Sequence, residues 1–145
     1  MHMVFSIQNI YICIKLHILS DILCNKPNRL LVVGGAGSLF TDKSHKTCPY
    51  ETEGFPEAYL PISKAAAESF FELEKRKDVN WTYLSPAGDF DSNGKRTGKY
   101  KIGGNEVILN SQGKSYVSYA DYAIAMVDEA ENKNFNQKRF TVVSE

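Results

Sequence analysis

The sequence predicts an α/β fold in which a parallel sheet is covered by helices. Three observations carry this reading. Arg29-Leu30-Leu31-Val32-Val33 is a short apolar run closed by Gly34-Gly35-Ala36-Gly37. Such a run suits a strand buried on both faces, as parallel sheets require. A long helical pattern and a second β-prone run at 79–84 follow it, the sequence form of a crossover between parallel strands. A further helical pattern then leads to a last β-prone run at 139–143.

The elements follow in chain order. Residues 3–14 are rich in Ile, Val, Phe and Tyr and read as a strand or a ragged start. Leu16, Leu19, Ile22 and Leu23 then recur at helical spacing, and Pro27 marks the stop. After the strand at 29–33, residues 41–56 are polar and aperiodic, which predicts a loop. Pro61 suits the first turn of the next helix. There Ile62, Ala66, Phe70 and Leu73 share a face, and Lys75, Arg76 and Lys77 favour the negative end of the helix dipole. The strand at 79–84 is stopped by Ser85-Pro86. Two β-prone stretches, 98–104 and 106–109, flank Gly103-Gly104-Asn105 and predict a small β-hairpin. Ser118 caps a helix whose Ala120, Ala123, Ile124, Val127 and Ala130 form a stripe, with Asp121 three residues after the cap.

Composition bounds the function. The chain has 145 residues, 43% hydrophobic and 12% aromatic, so a single packed domain over 1–145 is expected. Its 17 basic and 17 acidic residues balance, which argues against binding nucleic acid through phosphate neutralisation. Lys95, Arg96, Lys99 and Lys101 interleave with Tyr100, but a solvated face explains them better. The apolar start lacks preceding cations and a small-residue cleavage site, and falls short of the roughly 20 residues that span a bilayer. No membrane association is expected. Three cysteines, none in a C-x-x-C spacing, point to a reducing, cytoplasmic setting.

Several chemical motifs are incomplete. His45 and Cys48 share a loop beside Asp42, too few ligands at too common a spacing for a metal site. Asp89, Asp91 and Asn93 alternate like a calcium loop, but no acidic residue closes the pattern. Ser38 has no His and Asp partners at a recognisable spacing. Gly35-Ala36-Gly37 starts a dinucleotide fingerprint, but Phe40 stands where the third glycine belongs, and no helical period follows. These glycines either let backbone pass close to something flat or simply turn the chain.

Taken in order, Arg29-Leu-Leu-Val-Val-Gly-Gly-Ala-Gly-Ser-Leu39, Leu84-Ser-Pro-Ala87, Arg96-Thr-Gly-Lys-Tyr100 and Ser118-Tyr-Ala-Asp-Tyr-Ala123 form a set. The set resembles the C-terminal half of atypical short-chain dehydrogenase/reductases, specifically the NADH-flavin reductase and NmrA-like group that binds NAD(P)H. The resemblance covers about 16–143 and leaves 1–15 unassigned. It implies a partial Rossmann-like sheet whose N-terminal strands are missing. That agrees with length, since a complete nucleotide-binding sheet needs roughly 200 residues.

By this resemblance Gly34, Gly35 and Ala36 approach the nicotinamide riboside of NAD(P)H, and Ser85, Pro86 and Ala87 flank the nicotinamide. The family's proton-donor pattern is Tyr-x-x-x-Lys on a helix. Here Leu60 stands four before Lys64, and Tyr59 stands five before it, about 140° away. Lys64 is therefore the candidate catalytic and ribose-binding residue, or else a solvated helix lysine. Phe90, Tyr100 and the 95–109 region are the expected seat of a small-molecule acceptor, flavin-like or quinone-like. The implied function is NAD(P)H-dependent oxidoreduction by a truncated chain. The alternative is a non-catalytic, NmrA-like nucleotide-sensing or interaction module, or an inactive fragment. Missing strands also predict self-association through an exposed sheet edge.

Overall fold

A computed structural model describes residues 7–145, with side chains from Cys13 onward. Its helices are α1 (Ile7–Ile22), α2 (Leu60–Glu74) and α3 (Tyr119–Asn132). The strands are β1 (Arg29–Val33), β2 (Asn80–Ser85), β3 (Asp89–Asp91), β4 (Tyr100–Gly103), β5 (Tyr116–Ser118) and β6 (Lys138–Ser144). The main sheet has the order β1-β2-β6-β4. β1, β2 and β6 run parallel, and β4 runs antiparallel to β6. The predicted α/β class and parallel sheet are both present.

β2 alternates between two buried faces. Trp81 and Tyr83 join Leu16 of α1 and Phe70 and Leu73 of α2 in one core, against which Leu30 and Val32 of β1 pack. Leu84 faces the other way, with Tyr122 and Ala125 of α3 and Phe140 and Val142 of β6. α1 and α2 thus cover one face and α3 the other. At the strand starts Arg29 joins β1, β2 and α3: its guanidinium donates to Thr82 Oγ1 at 2.7 Å and pairs with the buried Glu129 carboxylate.

Four expectations need correction. The strand or ragged start placed over residues 3–14 is helical from Ile7; the part before Ile7 lies outside the described residues. From Cys13 onward the helix packs on α2, with Cys13 Sγ donating to the Ala65 carbonyl at 3.2 Å and Ser69 donating to Cys13. On α2, Ile62 is exposed while Ala65, Ala67 and Ser69 are buried beside Phe70 and Leu73, because small residues let α1 come close. On α3 the stripe is shifted: Ala123 and Val127 face solvent, and the buried positions are Asp121, Tyr122, Ala125 and Glu129. Two of those four are carboxylates, buried because they are hydrogen-bonded. The Ser118 cap is as expected, its Oγ accepting from the Asp121 N–H at 3.1 Å.

The fourth correction is the hairpin. β4 pairs with the open edge of β6, not with 106–109. Asn105 O accepts from Phe40 N at 2.8 Å and Val107 N donates to Phe40 O at 2.8 Å, so that stretch is used by the loop after β1. β3 and β5, which carried no strand signal, form a separate parallel pair beyond the end of the main sheet.

Candidate functional site

The C-terminal ends of β1 and β2 lie side by side, and Gly34 N donates to Leu84 O at 2.8 Å, continuing the ladder past Val33. The glycine turn that follows is pressed against α2 and Tyr83. A Cβ on Gly34 would lie 2.0 Å from Tyr83 Cε1, and one on Gly37 would lie 2.7 Å from Ser63 Cβ. Glycine is required for close approach, and the flat surface approached is the Tyr83 ring. Tyr83 is buried; its hydroxyl accepts from Gly35 N at 3.3 Å and donates to Ala66 O at 3.4 Å. Burial raises its pKa.

The turn is also braced from beneath by Arg139 of β6, which is 5% exposed. Its guanidinium donates to Ser38 O at 2.7 Å, to Ser38 Oγ at 3.1 Å and to Asn105 Oδ1 at 2.9 Å. It also lies 4.0 Å from the centroid of the Phe70 ring. These acceptors are neutral, and burial lowers the guanidinium pKa to about 10. Arg139 thus joins the glycine turn to the 104–107 segment. In the sequence Arg139 opens a β-run, and a lone Arg in that position carries no sign of burial.

Gly34, Gly35 and Ala36 remain partly exposed, and Val33 beside them is 66% exposed. Ser85, Pro86 and Ala87 differ: all three are buried. Ser85 Oγ lies on the α2 face in register with Thr141, and neither hydroxyl has a hydrogen-bond partner among the described residues. On the α3 face, Tyr122 donates to Leu84 O at 2.7 Å, the carbonyl that Gly34 also uses. Phe90 packs on Tyr122 with ring centroids 4.7 Å apart. The structure therefore brings Phe90 together with the Gly34–Leu84 junction.

It does not bring Tyr100 there. Tyr100 sits on β4, at the far edge of the sheet from β1, and its hydroxyl donates to the Asp128 carboxylate of α3. Burial and that carboxylate push its pKa up to about 12. Lys64 is exposed on α2, next in sequence to Ser63 at the glycine turn, and makes no hydrogen bond or ion pair among the described residues. Tyr59 is 63% exposed in a 3₁₀ turn before α2. His45 and Cys48 diverge: the His45 ring pairs with the Glu106 carboxylate, and buried Cys48 Sγ contacts Ser38 O.

Asp121, marked in the sequence only as the third residue after the Ser118 cap, is a second buried anchor. Its fully buried carboxylate accepts from Thr97 N at 2.9 Å, Thr97 Oγ1 at 2.8 Å, Gly98 N at 2.9 Å and Ser144 Oγ at 2.7 Å. Burial alone would raise its pKa, but the hydrogen bonds from Ser144, Gly98 and Thr97 outweigh it and hold the carboxyl below its ordinary value. It ties the loop before β4 to the first turn of α3.

In doubly wound α/β proteins ligands lie at the carboxyl ends of adjacent parallel strands, and in this chain the ends of β1 and β2 and the glycine turn 34–37 occupy that position. No protein-family model matches the chain. Its sequence is 52% identical over 120 residues to the uncharacterized protein YwnB of Bacillus subtilis, covering 83% of this chain and 56% of that protein. The fold superposes with a TM-score of 0.93 on a "putative NADH-flavin reductase" of Streptococcus pneumoniae, 34% identical, over all of this chain and 69% of that one. A "putative epimerase" of Bacteroides thetaiotaomicron, 41% identical, gives a TM-score of 0.74 over 81% of this chain and 53% of its own. The chain belongs to the NADH-flavin reductase and NmrA-like group of atypical short-chain dehydrogenases/reductases. It spans a little over half the length of the curated relative, 56%.

Proposed function

We propose that this chain forms the nicotinamide-side part of an NAD(P)H-dependent oxidoreductase acting on a small flavin-like or quinone-like acceptor. The observation that carries this is the part-exposed backbone of Gly34, Gly35 and Ala36 at the joined ends of β1 and β2, bordered by exposed Val33. Ligands of open parallel sheets lie at such strand ends. Backbone polar groups and an apolar floor suit the nicotinamide riboside. Bound there, the reduced nicotinamide would supply a hydride.

The pyrophosphate end is not matched. Among the described residues no glycine turn opens onto the N-terminus of an α-helix; turn 34–37 leads instead through a loop to the 3₁₀ turn Pro49–Glu51. The protein's contribution is orientation. Lys64, exposed and unpaired among the described residues, is proposed to reach the ribose hydroxyls. Ser85, Pro86 and Ala87, being buried, support the strand end from behind.

One observation favours the alternative, a nucleotide-sensing module without catalysis. The hydroxyls of Tyr83 and Tyr122 are both buried and donate to backbone carbonyls, so neither is placed to give a proton.

Titration of the full chain with NADH and NADPH to millimolar concentration, read by nicotinamide fluorescence and thermal shift, tests the reading. Binding of either, weakened several-fold in Lys64→Ala, supports it; no response to either removes it. Turnover of NADH with a flavin or quinone then separates the enzyme from the sensor.

A further inference from the structure

α3 opens on Tyr119, a residue 49% exposed whose ring lies 4.1 Å, centroid to centroid, from Phe90. Phe90 in turn lies 4.7 Å from Tyr122. The hydroxyl of Tyr122 is fixed to Leu84 O, the carbonyl that receives Gly34 N. These three rings make a ladder from the strand ends to the surface. Its inner end is held by a hydrogen bond, its middle ring is half-buried, and its outer ring has no second aromatic neighbour and no hydrogen bond on its hydroxyl among the described residues. The loop beside it is fixed too, since Asp121 holds Thr97 and Gly98 to the same first turn of α3.

An isolated exposed tyrosine is ordinary surface, and Tyr59 is one. Tyr119 differs in being pre-ordered by the two rings behind it, so a ligand that stacks on it loses little side-chain freedom. We propose that Tyr119, backed by Phe90 and Tyr122, is a stacking platform for the planar conjugated ring of the acceptor. This rests on the proposed oxidoreductase reading for its purpose but not for its chemistry. Any flat π-system of isoalloxazine or naphthoquinone size would be held by the same face.

Riboflavin is the probe, its fluorescence quenched when the ring stacks on tyrosine. Added to the full chain it should show saturable quenching. Tyr119→Ala should weaken binding about tenfold, the scale of one lost aromatic stack, and Tyr119→Trp should restore or tighten it. Both variants change an exposed side chain, and their melting curves show whether the fold is kept. The proposal is overturned if riboflavin shows no saturable quenching up to its solubility limit. Equal binding by Tyr119→Ala, or failure of a folded Tyr119→Trp to bind, overturns it too. The NADH and NADPH titrations are read separately. If neither cofactor binds while riboflavin binds through Tyr119, the platform stands and the oxidoreductase reading falls; the converse result reverses that outcome.

Discussion

At Gly34 a missing side chain is a packing requirement. A methyl group at this position would sit 2.0 Å from Tyr83 Cε1, and no small shift relieves that, because the ring is buried between Gly34 and α2. Gly34→Ala is expected to destabilise the fold by about 2–3 kcal/mol, the upper range for overpacking, seen as a lower urea midpoint with an unchanged m value. Truncating Tyr83 in the same chain should recover part of that loss. The glycine run is legible in the residues, which leave open whether it passes a flat surface or simply turns the chain. That the surface is the protein's own tyrosine is not legible there, because Gly34 and Tyr83 are far apart in sequence and no local pattern links them.

Besides the apolar packing of Tyr122 and Ala125, α3 is tied to the rest of the molecule by two buried carboxylates. Glu129 meets Arg29, and Asp121 holds Thr97, Gly98 and Ser144. Asp121→Asn keeps the shape but faces amide hydrogens toward donors, and should cost about 2 kcal/mol near neutral pH. The pH dependence has a definite sign. The folded carboxyl titrates below its unfolded value, so its stabilisation is fully present above about pH 4 and is lost as pH falls through the folded value. Urea unfolding at pH 7, 5 and 3 should therefore show the wild type and Asp121→Asn converging only at the lowest pH. An equal gap at all three would remove this account. Apolar periodicity cannot place the buried face of α3, since it assigns Asp and Glu to solvent. Likewise, Gly103-Gly104-Asn105 predicts a local hairpin, yet the true partner of β4 is β6, some 40 residues later. Register between distant strands leaves no trace in a local window.

For the whole molecule the decisive feature is the outer edge of β1, which pairs only with β2 among the described residues and carries the exposed Val33. Unpaired edges of this kind seek other strands. Self-association through it is proposed, with sedimentation velocity over a concentration series as the test: the wild type should show growing dimer, and Val33→Lys should remain monomeric. A wild type that stays monomeric at high concentration would end that idea. No described helix is long and apolar enough to cross a membrane.

The position of β6 has a further consequence, for the order of assembly. It is made last of the described elements yet lies in the middle of the sheet, parallel to β2 on one side and antiparallel to β4 on the other. While the chain is being synthesised, β4 has no partner and β2 has one bare edge until residues 138–144 leave the ribosome. Arg139 travels with them, so the glycine turn and the 104–107 segment are joined only at that moment. The nascent chain should remain protease-sensitive and available to chaperones until this strand is released, then close in one cooperative step.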